Sequence, residues 1–394
     1  MKRAFISVLF FFFIFHFIIP AIYYWYNGFF NLYSDIDDPV ALRKSFLING
    51  ISILLTAIII WRLPQKNDKI PANIFNITPL YYFSIFFSLA YYISRGGYEG
   101  TVTGNMAGSL LSYIALFLNP SIIIMLLIFY QKKKYNVGAI LLSFILFVTV
   151  TGRRSAIISV ILMLLIYPAF ENFSAYKSKL RKYILLFFIG SPLLFFAASR
   201  MRGIDLDILQ NEILLKAIFG RLSMIELGAI PIHYKDLGGY NVELFNDKYG
   251  IIHQIKLIID SLIPGNIFEY DVMPNQYYRA IFLGYSIDFV QDTYLSLNMT
   301  LPVYFYMYSN FVIAVLCTVI TLVGYYYLWK RFSNNIFISI ALIGQLYTLL
   351  YYFDFVMWFS QFLTTVLTIL TINLFVFLRK EAFNYFKGYE KKAV

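Results

Sequence analysis

Two short stretches carry the arginines from which any chemistry in this chain would start. Thr151-Gly152-Arg153-Arg154-Ser155 sets two adjacent guanidinium groups on a tight turn between strongly apolar runs. Arg200-Met201-Arg202-Gly203 sets two more at the exit of another apolar run. A guanidinium offers a planar fork of donors that fits phosphate or carboxylate in bidentate, charge-assisted hydrogen bonds. Charge held against hydrocarbon is costly, so at membrane depth it points to a bound partner. The alternative for either pair is a set of side chains snorkelling to cap helix ends. The stretch from Arg200 to Thr300 also holds 12 of the 21 acidic residues and two of the three histidines, His233 and His253. A general base would come from that pool. Arginines for an anionic leaving group, a base for an attacking hydroxyl and many aromatic faces for sugar rings suit glycosyl transfer from a polyprenyl carrier.

Other polar stretches are less specific. Ser34-Asp35-Ile36-Asp37-Asp38-Pro39 reads first as a solvated turn, because Asp and Pro are turn residues. It also matches the place where one class of lipid-linked glycosyltransferases keeps its base and metal ligands. Ser94-Arg95-Gly96-Gly97-Tyr98-Glu99-Gly100 reads as a loop whose glycines allow tight turning. His233 is read as structural, and His16, among phenylalanines, as a packed or water-bonded histidine. Cys317 is the single cysteine, a small buried hydrophobe in an apolar run, which excludes an internal disulfide framework. No nucleotide-binding glycine loop, HExxH or CxxC pair occurs, so neither a metal nor a soluble cofactor is expected.

The elements that must position these groups are membrane helices. The chain of 394 residues is 60% hydrophobic and 13% charged, whereas soluble chains carry about 25% charged residues. Apolar runs long enough to cross about 30 Å of hydrocarbon recur along it. They fall at 4–23, 46–61, 77–93, 107–130, 138–151, 155–170, 183–199, 302–328, 335–352 and 359–378. The expected fold is therefore an all-α polytopic membrane protein of about ten transmembrane helices with one large external (periplasmic) loop. Residues 1–199 form the first seven spans, 200–300 the loop, and 301–394 the last three spans with a basic tail.

The net charge of +11 does not describe a nucleic-acid surface, because its distribution is one-sided. With the N-terminus inside, one set of connections holds 19 Lys and Arg against 4 Asp and Glu, and the remainder holds 13 against 17. Excess Lys and Arg in short loops marks the cytoplasmic side. Both termini are thus expected in the cytoplasm and Arg200–Thr300 outside. Within that loop, apolar residues of 207–234 recur at helical spacing, Arg221 and Glu226 included in the run. That pattern suits a helix lying on the membrane or lidding a cavity. A second amphipathic piece spans 249–263, and Tyr277-Tyr278-Arg279 and Gln291-Asp292-Thr293-Tyr294 precede the next span.

Thr151-Gly152-Arg153-Arg154-Ser155-Ala156 leading directly into a helix, the Arg200–Gly203 cluster and one large late loop resemble the Wzy-type O-antigen and oligosaccharide repeat-unit polymerases. The likeness covers the layout of most of the chain and rests on short motifs. It implies a fold like the membrane glycosyltransferases of class C, localisation in the bacterial inner membrane and no cofactor. It implies transfer of a growing undecaprenyl-pyrophosphate-linked glycan onto the next lipid-linked repeat, with a chain-length regulator and a flippase as protein partners. By that resemblance Arg153, Arg154, Arg200 and Arg202 hold the donor pyrophosphate, with Arg221 and Arg279 as secondary candidates. Related ligases carry an H-N-x-x-L stretch where this chain reads Asp292-Thr293-Tyr294-Leu295. Aspartate stands in place of histidine, which leaves Asp292 first and His253 second as base. Three further readings stay open: a lipid-linked oligosaccharide flippase, an O-antigen ligase, and a polyprenyl-monophosphate glycosyltransferase using Asp35, Asp37 and Asp38.

Overall fold

A computed structural model describes residues 2–28, 38–64, 77–94, 114, 117–130, 134–151, 223–239, 242–262, 274–293, 297–333 and 336–390. The elements among these residues are all helices. They are α1 (Lys2–Asn27), α2 (Pro39–Arg62), α3 (Thr78–Ser94), α4 (Pro120–Tyr130), α5 (Lys134–Thr151), α6 (Met224–Asp236) and α7 (Val242–Tyr249). There follow α8 (Ile251–Leu262), α9 (Pro274–Phe282), α10 (Ile287–Thr293), α11 (Leu301–Tyr308), α12 (Phe311–Arg331), α13 (Ile336–Tyr351) and α14 (Phe355–Glu390). Among the described residues, four stretches are long and apolar enough to cross a membrane: Lys2–Asn27, Pro39–Arg62, Phe311–Arg331 and Phe355–Glu381. The chain is thus a helical protein with the apolar helices of a membrane-embedded one. The spans expected at 155–170 and 183–199 lie outside the described residues.

Two compact units divide the chain. The first draws on Met1–Asp68, Leu206–Arg331 and Leu342–Gln361. Its centre is α2, against which α1, α6, α11 and α12 pack. One side of α2 is buried and lined by small polar residues, Ser45, Asn49, Ser52 and Thr56. Small side chains let helices approach closely. Three of the four return a hydrogen bond to their own helix, Asn49 to Ser45 O, Ser52 to Ile48 O and Thr56 to Ser52 O. Gly228 of α6 sits where any Cβ would strike the Ser45 hydroxyl, so α6 crosses α2 there at backbone distance. The second unit, Lys69–Asp205, Phe332–Ala341 and Phe362–Val394, includes α3, α4 and α5. In it the Tyr81 hydroxyl of α3 donates to Ile140 O of α5 at 2.9 Å.

Two sequence expectations are revised. First, the run 207–234 was expected to supply an amphipathic helix on a surface. The described part, α6, is buried from Met224 through Ile232. Apart from Glu226 and Gly228, its residues there are all Met, Ile, Leu, Ala and Pro, and a helix apolar on nearly every side belongs in a core. Second, the span expected at 302–328 is two helices. Ser309 is extended (φ −144°, ψ −170°), and Asn310 restarts the chain by accepting the Ile313 N–H at 2.9 Å. Acidic groups also enter the core: Glu226 is 3% exposed and Asp354, at the turn into α14, is 1% exposed.

α1 is interrupted by a π-helical turn, Ile14–Ile18, with His16 inside it. Such turns carry one residue more than an α-turn and frequently mark functional positions. His16 Nε2 lies 3.1 Å from the Tyr347 hydroxyl, and the ring packs among Phe12, Tyr351 and Tyr352.

Candidate functional site

The charged residues that the fold brings together lie where α2 begins and α6 ends. α2 starts at Pro39, whose fixed φ and missing N–H suit the first helical position. Asp38 is the N-cap: its Oδ1 accepts the Val40 and Ala41 N–H groups at 2.9 and 3.1 Å. Its other oxygen, Oδ2, lies 2.7 Å from His233 Nδ1 in the last turn of α6. One carboxylate therefore starts a helix and holds an imidazole. Burial pushes the Asp38 carboxyl upward. The His233 hydrogen bond and the two backbone N–H groups outweigh that push, so it stays below its ordinary range. An ionised Asp38 accepts the Nδ1 proton, which leaves the lone pair of a neutral His233 ring on Nε2.

The same two helix ends carry a second pairing. Lys44 of α2 places its ammonium 2.5 Å from Asp236 Oδ2 and donates to the Tyr306 hydroxyl at 3.0 Å. That hydroxyl donates in turn to Asp236 Oδ1 at 2.6 Å. Lys235 donates to the carbonyls of Tyr306 and Ser309, the latter at 2.5 Å, and lies 4.3 Å from the Tyr306 ring centroid. It thereby satisfies carbonyls at the end of α11, which no further helical turn can reach. Burial pulls the Lys235 ammonium downward; Asp236 opposes the shift and Lys44 adds to it. Two carboxylates, Asp38 and Asp236, and two ammonium groups, Lys44 and Lys235, thus share these helix ends. Asp38 and His233 keep 25% and 22% of their side-chain surface exposed, so solvent or a ligand reaches them.

A second polar cluster in the same unit is closed. The Tyr249 hydroxyl at the end of α7 donates to Asn298 Oδ1 at 2.5 Å. Gln254 of α8 donates to Tyr249 O at 2.8 Å and accepts the Phe355 N–H at 2.6 Å. Asp354 caps α14 by accepting the Met357 N–H at 2.9 Å. All four side chains are buried. Burial pushes the Tyr249 phenol well up, and the Asp354 carboxylate adds to the shift. Gln254 and Asp354 satisfy backbone groups and Tyr249 and Asn298 satisfy each other, which is a structural role.

The residues expected from sequence are distributed as follows. Arg153, Arg154, Arg200, Arg202 and Arg221 lie outside the described residues, as do Asp35 and Asp37. Asp292 lies in α10, with its side chain outside the described part. Arg279, in α9, sets its guanidinium 5.5 Å from the Tyr285 ring centroid. α9 and α10 pack through Tyr277 and Val290, so Arg279 and Asp292 belong to one small subassembly. His253 is on α8, half-buried, with Nε2 enclosed and without a hydrogen-bond partner among the described residues. Burial, then Lys248 and Lys256, pull it below its ordinary value, so it is held neutral.

The sequence reading weighed Asp38 and His233 separately and missed Lys44, Asp236 and Tyr306. Local signals existed: Asp38-Pro39 is a helix start, and His233 and Asp236 stand three apart on one helical face. Their meeting across 195 residues is a matter of packing. The chain matches no known protein family model, no curated protein and no solved structure.

Proposed function

We propose that the chain is a membrane glycosyltransferase of the repeat-unit polymerase type, acting at the periplasmic face of a bacterial inner membrane. In this reading about ten helices span the bilayer in a class C-like arrangement, both termini are cytoplasmic, and no metal or cofactor is needed. The observation that carries it is the Asp38–His233 pair, 2.7 Å apart and partly exposed beside the start of a helix apolar enough to span. A carboxylate-oriented imidazole is the commonest protein device for taking a proton from a hydroxyl. Here His233 Nε2 takes the proton of an acceptor sugar hydroxyl as its oxygen bonds to the donor anomeric carbon. The bond from that carbon to undecaprenyl pyrophosphate breaks, and the electron pair leaves with the pyrophosphate. Arg153, Arg154, Arg200 and Arg202 stabilise that leaving group, with Arg221 and Arg279 in reserve. Asp292 and His253 are the rival bases. His253 is a weaker base than an ordinary imidazole, because its environment already disfavours taking a proton.

The test is the surface-glycan ladder of a deletion strain complemented with variants. Arg153→Ala, Arg200→Ala, Arg202→Ala and His233→Ala should each leave single-repeat glycan on the lipid core and abolish long chains. Normal lengths in all three arginine variants would sink the polymerase; normal lengths in His233→Ala alone would return the base to Asp292 or His253. Total loss of capped core would instead favour a ligase or a flippase. One observation favours the flippase: His16, an ionisable group inside a span, sits on a π-turn against Tyr347. Transport of labelled lipid-linked glycan across vesicles without polymer formation would decide for it.

A further inference from the structure

We infer that α8 lies at the bilayer boundary and inserts a stripe of four isoleucines among lipid acyl chains. At about 100° per residue, the residues of α8 fall into three sectors of roughly a third of the circumference each. Gln254, Leu257 and Ile258 occupy the first and are buried. Leu257 and Ile258 pack with Val356, Phe355 and Phe359 of α14. Ile251, Ile252, Ile255 and Ile259 occupy the second, exposed by 44%, 70%, 44% and 37%. Lys256, exposed, and His253, half-buried, occupy the third. A soluble surface helix needs two faces, one for protein and one for water. This helix has a third, in which four isoleucines stay 37–70% exposed with no polar residue among them.

The level of α8 identifies what covers that face. Its buried sector seats on the opening turns of Phe355–Glu381, a stretch of 27 residues long and apolar enough to span. At 1.5 Å per residue that stretch runs about 40 Å, more than the roughly 30 Å of hydrocarbon, so its first turns stand at the boundary. Gln254 fixes α8 there through the Phe355 N–H, one of the donors that a helix start leaves without an internal partner. At such a boundary the protein, lipid and water sectors each meet a matching phase, as for helices that lie in the interface plane. The isoleucine sector fits acyl chains, and Lys256 fits anionic headgroups and water. The inference holds whether or not the chain transfers sugars.

The test uses the full-length chain carrying Cys317→Ser, reconstituted in vesicles of phosphatidylethanolamine and phosphatidylglycerol. Single nitroxides are attached at Ile252→Cys, Ile255→Cys, Lys256→Cys and Ile259→Cys. The ratio of collisions with oxygen to collisions with a water-soluble nickel chelate should be several-fold higher at 252, 255 and 259 than at 256. Bimane at the same three positions should be quenched by brominated lipid and resist aqueous iodide. This second readout needs only that the labelled protein reconstitutes. Equal nickel access at all four positions would overturn the inference, as would shielding of 252, 255 and 259 from both reagents, the mark of a covering protein.

Discussion

The two polar clusters of the first compact unit are built on opposite plans. Around Asp38 and His233 the groups are charged, paired with one another and partly open to solvent. Around Gln254 and Tyr249 they are mostly neutral amides and a phenol, fully enclosed, and nearly every bond ends on backbone or on a helix start. A buried amide that closes a backbone donor fixes chain geometry and has no proton to give or take near neutral pH. A partly exposed imidazole tied to a carboxylate fixes little of the chain, and its other nitrogen is not used by that bond. The difference separates a group open to a ligand from one that holds helices in place, although both contain hydrogen bonds of similar length.

That contrast can be broken by substitution. The largest effect is expected from His233→Ala, which should lower polymer formation by about 10²- to 10⁴-fold, the range for a general base. Its melting temperature in detergent should stay near that of the parent chain. A large drop in melting temperature with the glycan ladder intact would reverse the two roles.

Next comes Gln254→Ala, which strands the Phe355 N–H at the start of α14. Leaving such a buried donor unsatisfied costs about 1–3 kcal/mol, read as a lower denaturation midpoint. Activity per folded molecule should be unchanged. Activity loss without loss of stability would give the closed cluster a chemical role.

The smallest effect separates the two duties of Asp38. Asp38→Ala removes the cap and should cost about 1 kcal/mol. Asp38→Asn keeps the cap, because Asn caps as well as Asp, yet it weakens the hold on His233 and should lower activity with little change in stability. The variants also differ with pH. The folded Asp38 carboxyl lies below its ordinary value of 3.8, so its contribution is complete above that value and is lost as pH falls through the lower folded one. Acid-side melting curves of the parent should therefore carry a slope that Asp38→Asn lacks, while the alkaline side coincides.

Hydropathy located much of the framework, since it depends on runs of like residues. The expected runs 77–93 and 335–352 overlie Thr78–Ser94 and Ile336–Tyr351. Its errors have local causes. The run expected to begin at 46 misses the start of α2 because Asp38, Arg43 and Lys44 dilute its first turns, whereas the helix begins where Asp38 caps it. The break before α12 depends on one cap, Asn310, that apolar averaging passes over. The site was less legible. Arginine pairs stand out in a sequence because their charges are adjacent, while Asp38 and His233 are ordinary residues until α6 crosses α2 at Gly228. The buried Asp354 was overlooked for the same reason, being one acid between two apolar runs.

The π-turn in α1 has a consequence for how that helix can change. The wider turn takes up one surplus residue, so the segments on either side keep the phase of a regular helix one residue shorter. The Lys2 ammonium, which closes the Trp61 and Leu63 carbonyls at the end of α2, anchors the segment before the turn, and His16 meets Tyr347 from within it. Deleting a single residue between Ile14 and Ile18 would return the turn to α geometry and leave Phe5, Val8, Leu9 and Phe12 on the partners that bury them. The same deletion on either side of the turn would rotate one half of the helix against the other by about 100°.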